Sequence, residues 1–375
     1  MSVTSPKRVL IIRLSAIGDV VFASPLVEAC KRRYPDAEID WLAEGVVRPL
    51  ILGMPSIGRV ILWPRQEWRA LWKEKRLLAL FKAVKEFQRE LNARNYDLVV
   101  DAQGLLKSAF LAWLTGCRDR IGFESKEPNG LFLSKRYPKQ ITDRISSEYL
   151  GLARQLGWET DRFEMVLGLT REDHSRAATI AESGKYVAIA PFTTRPQKHW
   201  KSAHWRSLIE ALSAKGFTVA CLGGPADRHE AADMLEGLNV VNWVGTHPLG
   251  VSASLVSSAM AVIGVDTGLT HMGIAAGVPT VALFGSTCPY KKTGRDNVRV
   301  VYHDLDCAPC KRRPTCGGAF TCMTELMPAE ALEALQQVLS AGPVTGSEGE
   351  FSGEKADTDH ANEDGLENMR DAVRG

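Results

Sequence analysis

Apolar positions in this chain cluster in short unbroken runs, each followed by a polar, glycine-containing turn and then a helical periodicity. Val9-Leu10-Ile11-Ile12 leads through Ser15-Ala16-Ile17-Gly18-Asp19 into an amphipathic stretch from Val20 toward Arg33. Further apolar runs at residues 39–42, 60–62 and 98–100 predict strands, with a long charged helix across about residues 70–94 between the last two. The alternation restarts after residue 180. Runs at 186–189, 218–222, 261–263 and 280–284 predict strands, interleaved with helical stretches near 202–215, 226–237 and 268–276. Runs that are apolar throughout, rather than every second residue, call for parallel sheets covered on both faces.

A length of 375 residues with 45% apolar content supports two cores. The expected domains are 1–165 and 166–342, both doubly wound, joined near 160–180 and facing each other across a cleft. A tail at 343–375, rich in Gly, Ser, Asp, Glu and Asn, cannot form a core and is expected to be disordered. No run of eighteen apolar residues is present, and the first residues lead directly into a strand rather than a cleavable signal, so a cytoplasmic protein is expected. The net charge of +2 conceals a division: residues 1–165 carry 27 Lys and Arg against 20 Asp and Glu, whereas 343–375 carry 3 against 9. Either an anionic partner for the first half or an unevenly charged solvated surface accounts for that excess.

Ala261-Val262-Ile263-Gly264-Val265-Asp266-Thr267-Gly268-Leu269-Thr270-His271 is the most informative stretch, because an apolar strand runs straight into a helix start. Unpaired N–H groups there favour an anion, the Thr267 and Thr270 hydroxyls add donors, and a diphosphate is the natural guest. Asp266 would repel phosphate and suits sugar hydroxyls. The loop Phe192-Thr193-Thr194-Arg195-Pro196-Gln197-Lys198-His199-Trp200 gathers hydroxyls and cations that can clamp a leaving diphosphate, with Trp200 as a core anchor. Asp227 and Glu230, after the turn Gly223-Gly224, either accept ribose hydroxyls or merely complement a helix start. In the first half, Gly18 permits close backbone approach, and Asp19 is either a helix cap or a catalytic carboxylate. Asp101 to Ser108, including Gln103 and Lys107, together with Arg65, Arg69 and Arg120, can hold an anionic acceptor or serve as ordinary surface pairs. The first turn lacks the Gly-x-Gly-x-x-Gly fingerprint and no P-loop occurs, which argues against dinucleotide oxidoreductases and P-loop phosphoryl transfer. Cys30, Cys117 and Cys221 read as core residues. Cys307, Cys310, Cys316 and Cys322, spaced C-x2-C-x5-C-x5-C, suit a structural zinc or remain reduced loop thiols.

Five ordered motifs resemble those of the ADP-heptose:lipopolysaccharide heptosyltransferases, the glycosyltransferase family 9 enzymes. They are Ser15-Ala16-Ile17-Gly18-Asp19-Val20; Trp68-Arg69 through Trp72; Asn95-Tyr96-Asp97 with Asp101 to Ala109; Thr193-Thr194-Arg195 with Lys198-His199-Trp200; and Asp266 to His271. The resemblance covers about residues 8–340, and the heptosyltransferase I branch looks closest. It implies the GT-B α/β fold, with Asp19 as general base. Thr193, Thr194 and Lys198 would be phosphate and ribose contacts. Asp266 would hold heptose hydroxyls, while Thr267, Gly268, Leu269 and His271 surround the diphosphate. Arg69 and Arg120 would meet the carboxylates of a Kdo acceptor. The four-Cys loop and the acidic tail depart from the family pattern. The implied reaction moves heptose from ADP-heptose to Kdo-lipid A at the anionic inner leaflet, with no nucleic acid involved and no cofactor required for catalysis. Rival readings are a heptosyltransferase adding the second heptose, a GT-B enzyme or epimerase using another nucleotide-sugar, and a non-catalytic nucleotide-sugar-binding protein.

Overall fold

The computed structural model describes residues 5–182, 184–310 and 313–341. The acidic tail read at 343–375 lies outside the described residues. The chain divides into two compact units between His174 and Ser175. That division falls after the expected one at residue 165, because residues 166–168 are tied back to the first unit. The Val166 N–H donates to the Ser24 hydroxyl at 2.8 Å, and the Gly168 N–H donates to the Leu50 carbonyl at 2.7 Å.

The first unit runs β1 (Arg8–Ile12), α1 (Ile17–Ala23), α2 (Pro25–Arg33), β2 (Glu38–Ala43), β3 (Ile57–Leu62), α3 (Arg65–Lys73), α4 (Leu77–Asn92), β4 (Leu98–Asp101), α5 (Leu106–Leu114), β5 (Arg120–Phe123), β6 (Lys135–Tyr137) and α6 (Ser147–Gln155). Helix α7 (Arg171–Ala181) carries the chain into the second unit. There follow β7 (Tyr186–Ala190), α8 (Ser202–Ala214), β8 (Thr218–Cys221), α9 (Arg228–Leu235), β9 (Val241–Asn242), α10 (Leu249–Ser257), β10 (Ala261–Val265), α11 (Gly268–Ala275), β11 (Thr280–Phe284), β12 (Val298–Tyr302), α12 (Thr321–Thr324) and α13 (Pro328–Ser340).

Each unit has one six-stranded sheet with every pairing parallel, in the orders β3-β2-β1-β4-β5-β6 and β12-β11-β10-β7-β8-β9. The central strands are apolar throughout because helices cover both of their faces. Val9 to Ile12 and Ala261 to Ile263 are fully buried. In the first unit the two faces make separate cores, one around Val9, Ile11, Trp41 and Tyr149, the other around Leu10, Ile12, Phe87 and Leu111. In the second, Trp200, Trp205, Leu208 and Leu335 pack with Val187, Ile263 and Leu283.

The strand order changes direction at β1/β4 in one sheet and at β7/β10 in the other. Loops leaving the carboxyl ends on either side of such a switch point diverge and open a crevice, where doubly wound sheets take their ligands. The expected single helix across residues 70–94 is instead two, α3 and α4, with Lys75 between them in the left-handed conformation (φ 57°). The helix expected from Val20 to Arg33 is likewise broken, at Ser24 before Pro25.

Candidate functional site

In the first unit the switch-point loops leave β1 and β4. Arg13, only 6% exposed, follows β1 directly and donates to the Ala102 carbonyl at 3.1 Å. Its other terminal nitrogen lies 2.6 Å from the Asp19 carboxylate, which also accepts the Ala16 N–H at 3.2 Å. Asp19 is thus held from two sides while its side chain remains partly open to solvent. From β4, Asp101 is fully buried and accepts the N–H groups of Gln103 and Gly104 and the Ser108 hydroxyl at 3.0, 3.1 and 2.9 Å. Burial pushes its carboxyl up to about 6 against the pull of those donors. Gln103 reaches across to accept the Leu14 N–H at 2.8 Å, lacing the two loops together. Gly104 adopts φ 72°, and a side chain there would meet the Phe123 Cβ at 2.9 Å.

Cations gather at the same edge. Arg65 pairs with Glu44 at 2.9 Å, and Lys107 lies 3.8 Å from that carboxylate, with burial holding the lysine below its ordinary value. Both sit over the Trp63 ring, at 5.9 and 5.6 Å. Arg69 is exposed on α3. Arg120 does not join them. It stands at the opposite, amino end of its strand, where the guanidinium donates to the carbonyls of Phe132, at 2.6 Å, and of Cys117. A guanidinium committed to backbone carbonyls in this way braces the β5–β6 connection, so the acceptor role expected for Arg120 is withdrawn.

In the second unit the loops after β7 and β10 converge on Asp266. Its carboxylate is 2.5 Å from the Lys198 ammonium and 3.2 Å from His271 Nε2, and it accepts the Thr287 hydroxyl. His271 Nδ1 is in turn 2.9 Å from the buried Tyr290 hydroxyl. Burial alone would raise the Asp266 carboxyl, but His271 and Lys198 hold it well below the usual carboxylate range. Thr193 donates toward the Asp266 carbonyl at 3.4 Å, and its own carbonyl is 2.7 Å from His199 Nε2; the other ring nitrogen of His199 is 3.3 Å from Glu230. Glu230 is therefore linked to the β7 loop, whereas Asp227 accepts the Gly224 N–H at 2.7 Å and works as a local cap. Thr267, Gly268 and Leu269 form the start of α11, whose free N–H groups leave room for an anion.

The expectations for Thr270 and His271 change here. Thr270 is fully buried and donates to the Val265 carbonyl at 2.7 Å, so its hydroxyl is not available to a ligand. His271 orients Asp266 instead of facing outward. The four Cys of the candidate zinc segment sit in unlike surroundings. Cys322 is drawn into the core of the unit beside Met323 and Leu326, Cys307 is exposed, and among the described residues no group of three or more His, Cys, Asp or Glu side chains is arranged to hold a metal ion. Burial, reinforced by Cys310, Cys307 and Cys316, pushes the Cys322 thiol up to about 11, which keeps it protonated. Cys30, Cys117 and Cys221 are buried, as read from the sequence. Residues that pattern reading did not single out are Arg13, Glu44, Thr287 and Tyr290. Arg13 and Glu44, each one residue beyond a buried strand, carried a local signal.

Two doubly wound sheets in one chain, each with a switch point, define a protein of the GT-B fold class, and comparison with known proteins agrees. The chain is 27% identical to the structure of the Escherichia coli heptosyltransferase WaaC with ADP-2-deoxy-2-fluoro heptose, with a TM-score of 0.65 over 87% of this chain and 98% of that one. A glycosyltransferase family 9 structure from Veillonella parvula, 19% identical, shares the fold with a TM-score of 0.75 over 89% and 97% of the two chains. Among curated relatives, lipopolysaccharide heptosyltransferase 1 of Pseudomonas aeruginosa is 30% identical over 82% of this chain and 87% of its own length. That of Escherichia coli K12 is 29% identical over 75% and 89%. Residues 84–319 match the family described as glycosyltransferase family 9 (heptosyltransferase). The chain belongs to glycosyltransferase family 9.

Proposed function

We propose that this enzyme transfers heptose from ADP-heptose to a Kdo residue of Kdo-lipid A, in assembly of the lipopolysaccharide inner core. The observation that carries the reading is the Asp266–Lys198–His271–Thr287 cluster beside the start of α11. It offers a fixed carboxylate for sugar hydroxyls next to an ammonium and a helix amino terminus for a diphosphate. The relatives named for heptosyltransferase 1 supply the sugar and the acceptor class.

The reaction is a single inverting displacement. Asp19 takes the proton from a Kdo hydroxyl as that oxygen bonds to the anomeric carbon and the bond from that carbon to the ADP oxygen breaks. A carboxylate is a weak base toward an alcohol, so it acts while the new bond forms and the proton becomes acidic. Negative charge on the departing ADP grows at the same moment. Lys198 has donors left after pairing with Asp266, and these, together with the N–H groups of Thr267 to Leu269, stabilise it. Fixed cations and dipoles thus do the neutralising, and the reaction proceeds without an added metal ion. Thr193, Thr194 and Glu230 hold the nucleotide. Arg65, Arg69 and Lys107 receive the Kdo carboxylates, which displace Glu44 as the counter-ion of Arg65 and Lys107, while Gly18 and Gln103 shape the same edge. Among the described residues no helix is long and apolar enough to cross a membrane. The basic first half brings the enzyme to the anionic cytoplasmic leaflet where its acceptor resides.

The test is incubation with ADP-heptose and two acceptors, one ending in Kdo and one already carrying a first heptose, in buffer with and without a chelator. Transfer to the Kdo acceptor in both buffers is expected. Transfer only to the heptosylated acceptor would place the enzyme one step later in the core, and loss of turnover with chelator would reject the metal-free mechanism.

A further inference from the structure

The described residues expose twelve large apolar side chains, and four of these fall within ten residues of one another on α3 and α4: Trp72, Leu77, Leu78 and Phe81, at 66%, 56%, 89% and 63% exposure. Helix α3 buries none of its residues, and α4 buries only Phe87 and Leu91, in its second half. The core therefore does not account for the apolar first half of α4. At 100° per residue Leu77, Phe81, Lys85 and Leu78 form one stripe on α4, beside the stripe of Leu80, Val84, Phe87 and Leu91 that faces the sheet.

Cations outnumber acids around these side chains, with Arg76 paired to Glu74 at 3.3 Å and Lys82 lying 4.0 Å from Glu86. Residues 69–85 contain six Lys and Arg and a single acid, Glu74. The Lys85 ammonium lies 5.7 Å over the Phe81 ring, so the apolar stem and aromatic ring share a surface while the charge stays at its rim. Helix α5 packs in the same core face as α4, and Trp113 on α5 and Leu131 after β5 are also exposed, by 45% and 76%.

We infer that the α3–α4 hairpin is the membrane-docking surface of this enzyme, seating Trp72, Leu78 and Phe81 among the headgroups of an anionic phospholipid bilayer with Lys82, Lys85 and their neighbours on the phosphates. Large apolar groups bordered by flexible cations, on a helix lying flat at the surface, match the chemistry of a charged interface. This rests on the proposed function for its purpose. Helix α3 begins with the acceptor cations Arg65 and Arg69 and reaches Trp72 one turn later, so docking holds the sugar-receiving edge at the depth where a lipid-anchored acceptor presents its carboxylates.

The experiment is co-sedimentation of the full chain with vesicles of phosphatidylcholine alone and of phosphatidylcholine with roughly a third phosphatidylglycerol. Leu78→Glu/Phe81→Glu is the test variant, since both side chains are mostly exposed and the fold does not depend on them. The wild type should bind the anionic vesicles and release in high salt, with the variant at least about tenfold weaker. Transfer to a water-soluble Kdo acceptor should be equal for both proteins. Equal vesicle binding by the two proteins, or wild-type binding that ignores lipid charge, would overturn the inference. So would self-association of the wild type that the variant lacks, with no vesicle binding, which would make this face a contact between copies. The vesicles contain no acceptor, so failure of the sugar-transfer reading would show only in the turnover assay and failure of docking only in sedimentation.

Discussion

In the proposed mechanism the chemistry rests on two carboxylates held in different ways. Asp19 is clasped by Arg13 and the Ala16 N–H at the edge of solvent, while Asp266 is enclosed and surrounded by donors. Asp19→Asn keeps the shape and the cap but removes the base. Turnover should fall by at least about 10²-fold with ADP binding retained, as measured by single-turnover kinetics and calorimetry; undiminished turnover would reject the assignment. Asp266 predicts a pH signature. Its native value lies below the unfolded value near 4, so the unfolded chain binds more protons in that range and stability rises with pH. The contribution is complete above the unfolded value and is lost as pH falls toward the native one. Melting temperature followed from neutral pH into acid should drop less steeply for Asp266→Asn than for the wild type. The two arginines that the family resemblance gives to the Kdo carboxylates should separate cleanly. Arg69→Ala should raise KM for the Kdo acceptor by about tenfold with the melting temperature unchanged, the loss of one charge-assisted contact. Arg120→Ala should leave KM alone and lower stability by about 1–3 kcal/mol, because carbonyls of Phe132 and Cys117 lose their donor.

What could be read at the level of elements depended on how completely each is buried. The central strands β1, β4, β7, β10 and β11 are covered on both faces and appear in the sequence as unbroken apolar runs. The outer strands β5, β6, β9 and β12 did not stand out. They are short or half exposed, as in Lys135–Tyr137 and Val298–Tyr302, and their residues mix with polar ones as in any loop. Asp266 could be found because it directly follows such a run, and Asp19 and Lys198 because they lie in the polar segments that leave β1 and β7. Thr287 and Tyr290 could not, since tertiary approach brings them to the site. The break between α3 and α4 was also hidden, for Lys75 is an ordinary helix former that here takes a left-handed turn while Trp68, T-shaped against Phe87 at 5.6 Å, pins α3 to α4. The most exacting junction is β10–α11. A side chain at Gly264 would strike the Thr270 hydroxyl and come within 2.9 Å of the Ala190 Cβ. Gly264→Val should therefore destabilise the second unit by about 1–3 kcal/mol and displace α11, with ADP affinity falling in parallel by calorimetry.

At the scale of the whole molecule, the residues assigned to the nucleotide all belong to the second unit and those assigned to the acceptor to the first. Hydrogen exchange on the full chain should accordingly show ADP protecting the segments around 192–199 and 266–271 in preference to the β1 and β4 loops, and uniform protection of both units would contradict that assignment. Both sheets follow the same strand sequence about their centre, one run of three strands outward on each side. With the site residues assigned as proposed, this repetition puts donor and acceptor recognition on separate sets of loops on separate scaffolds. Changes in the connections after β1 and β4 can retune what receives the sugar while the grip on the leaving group stays intact, so a lineage of such enzymes can walk outward along a growing glycan by remodelling one half at a time.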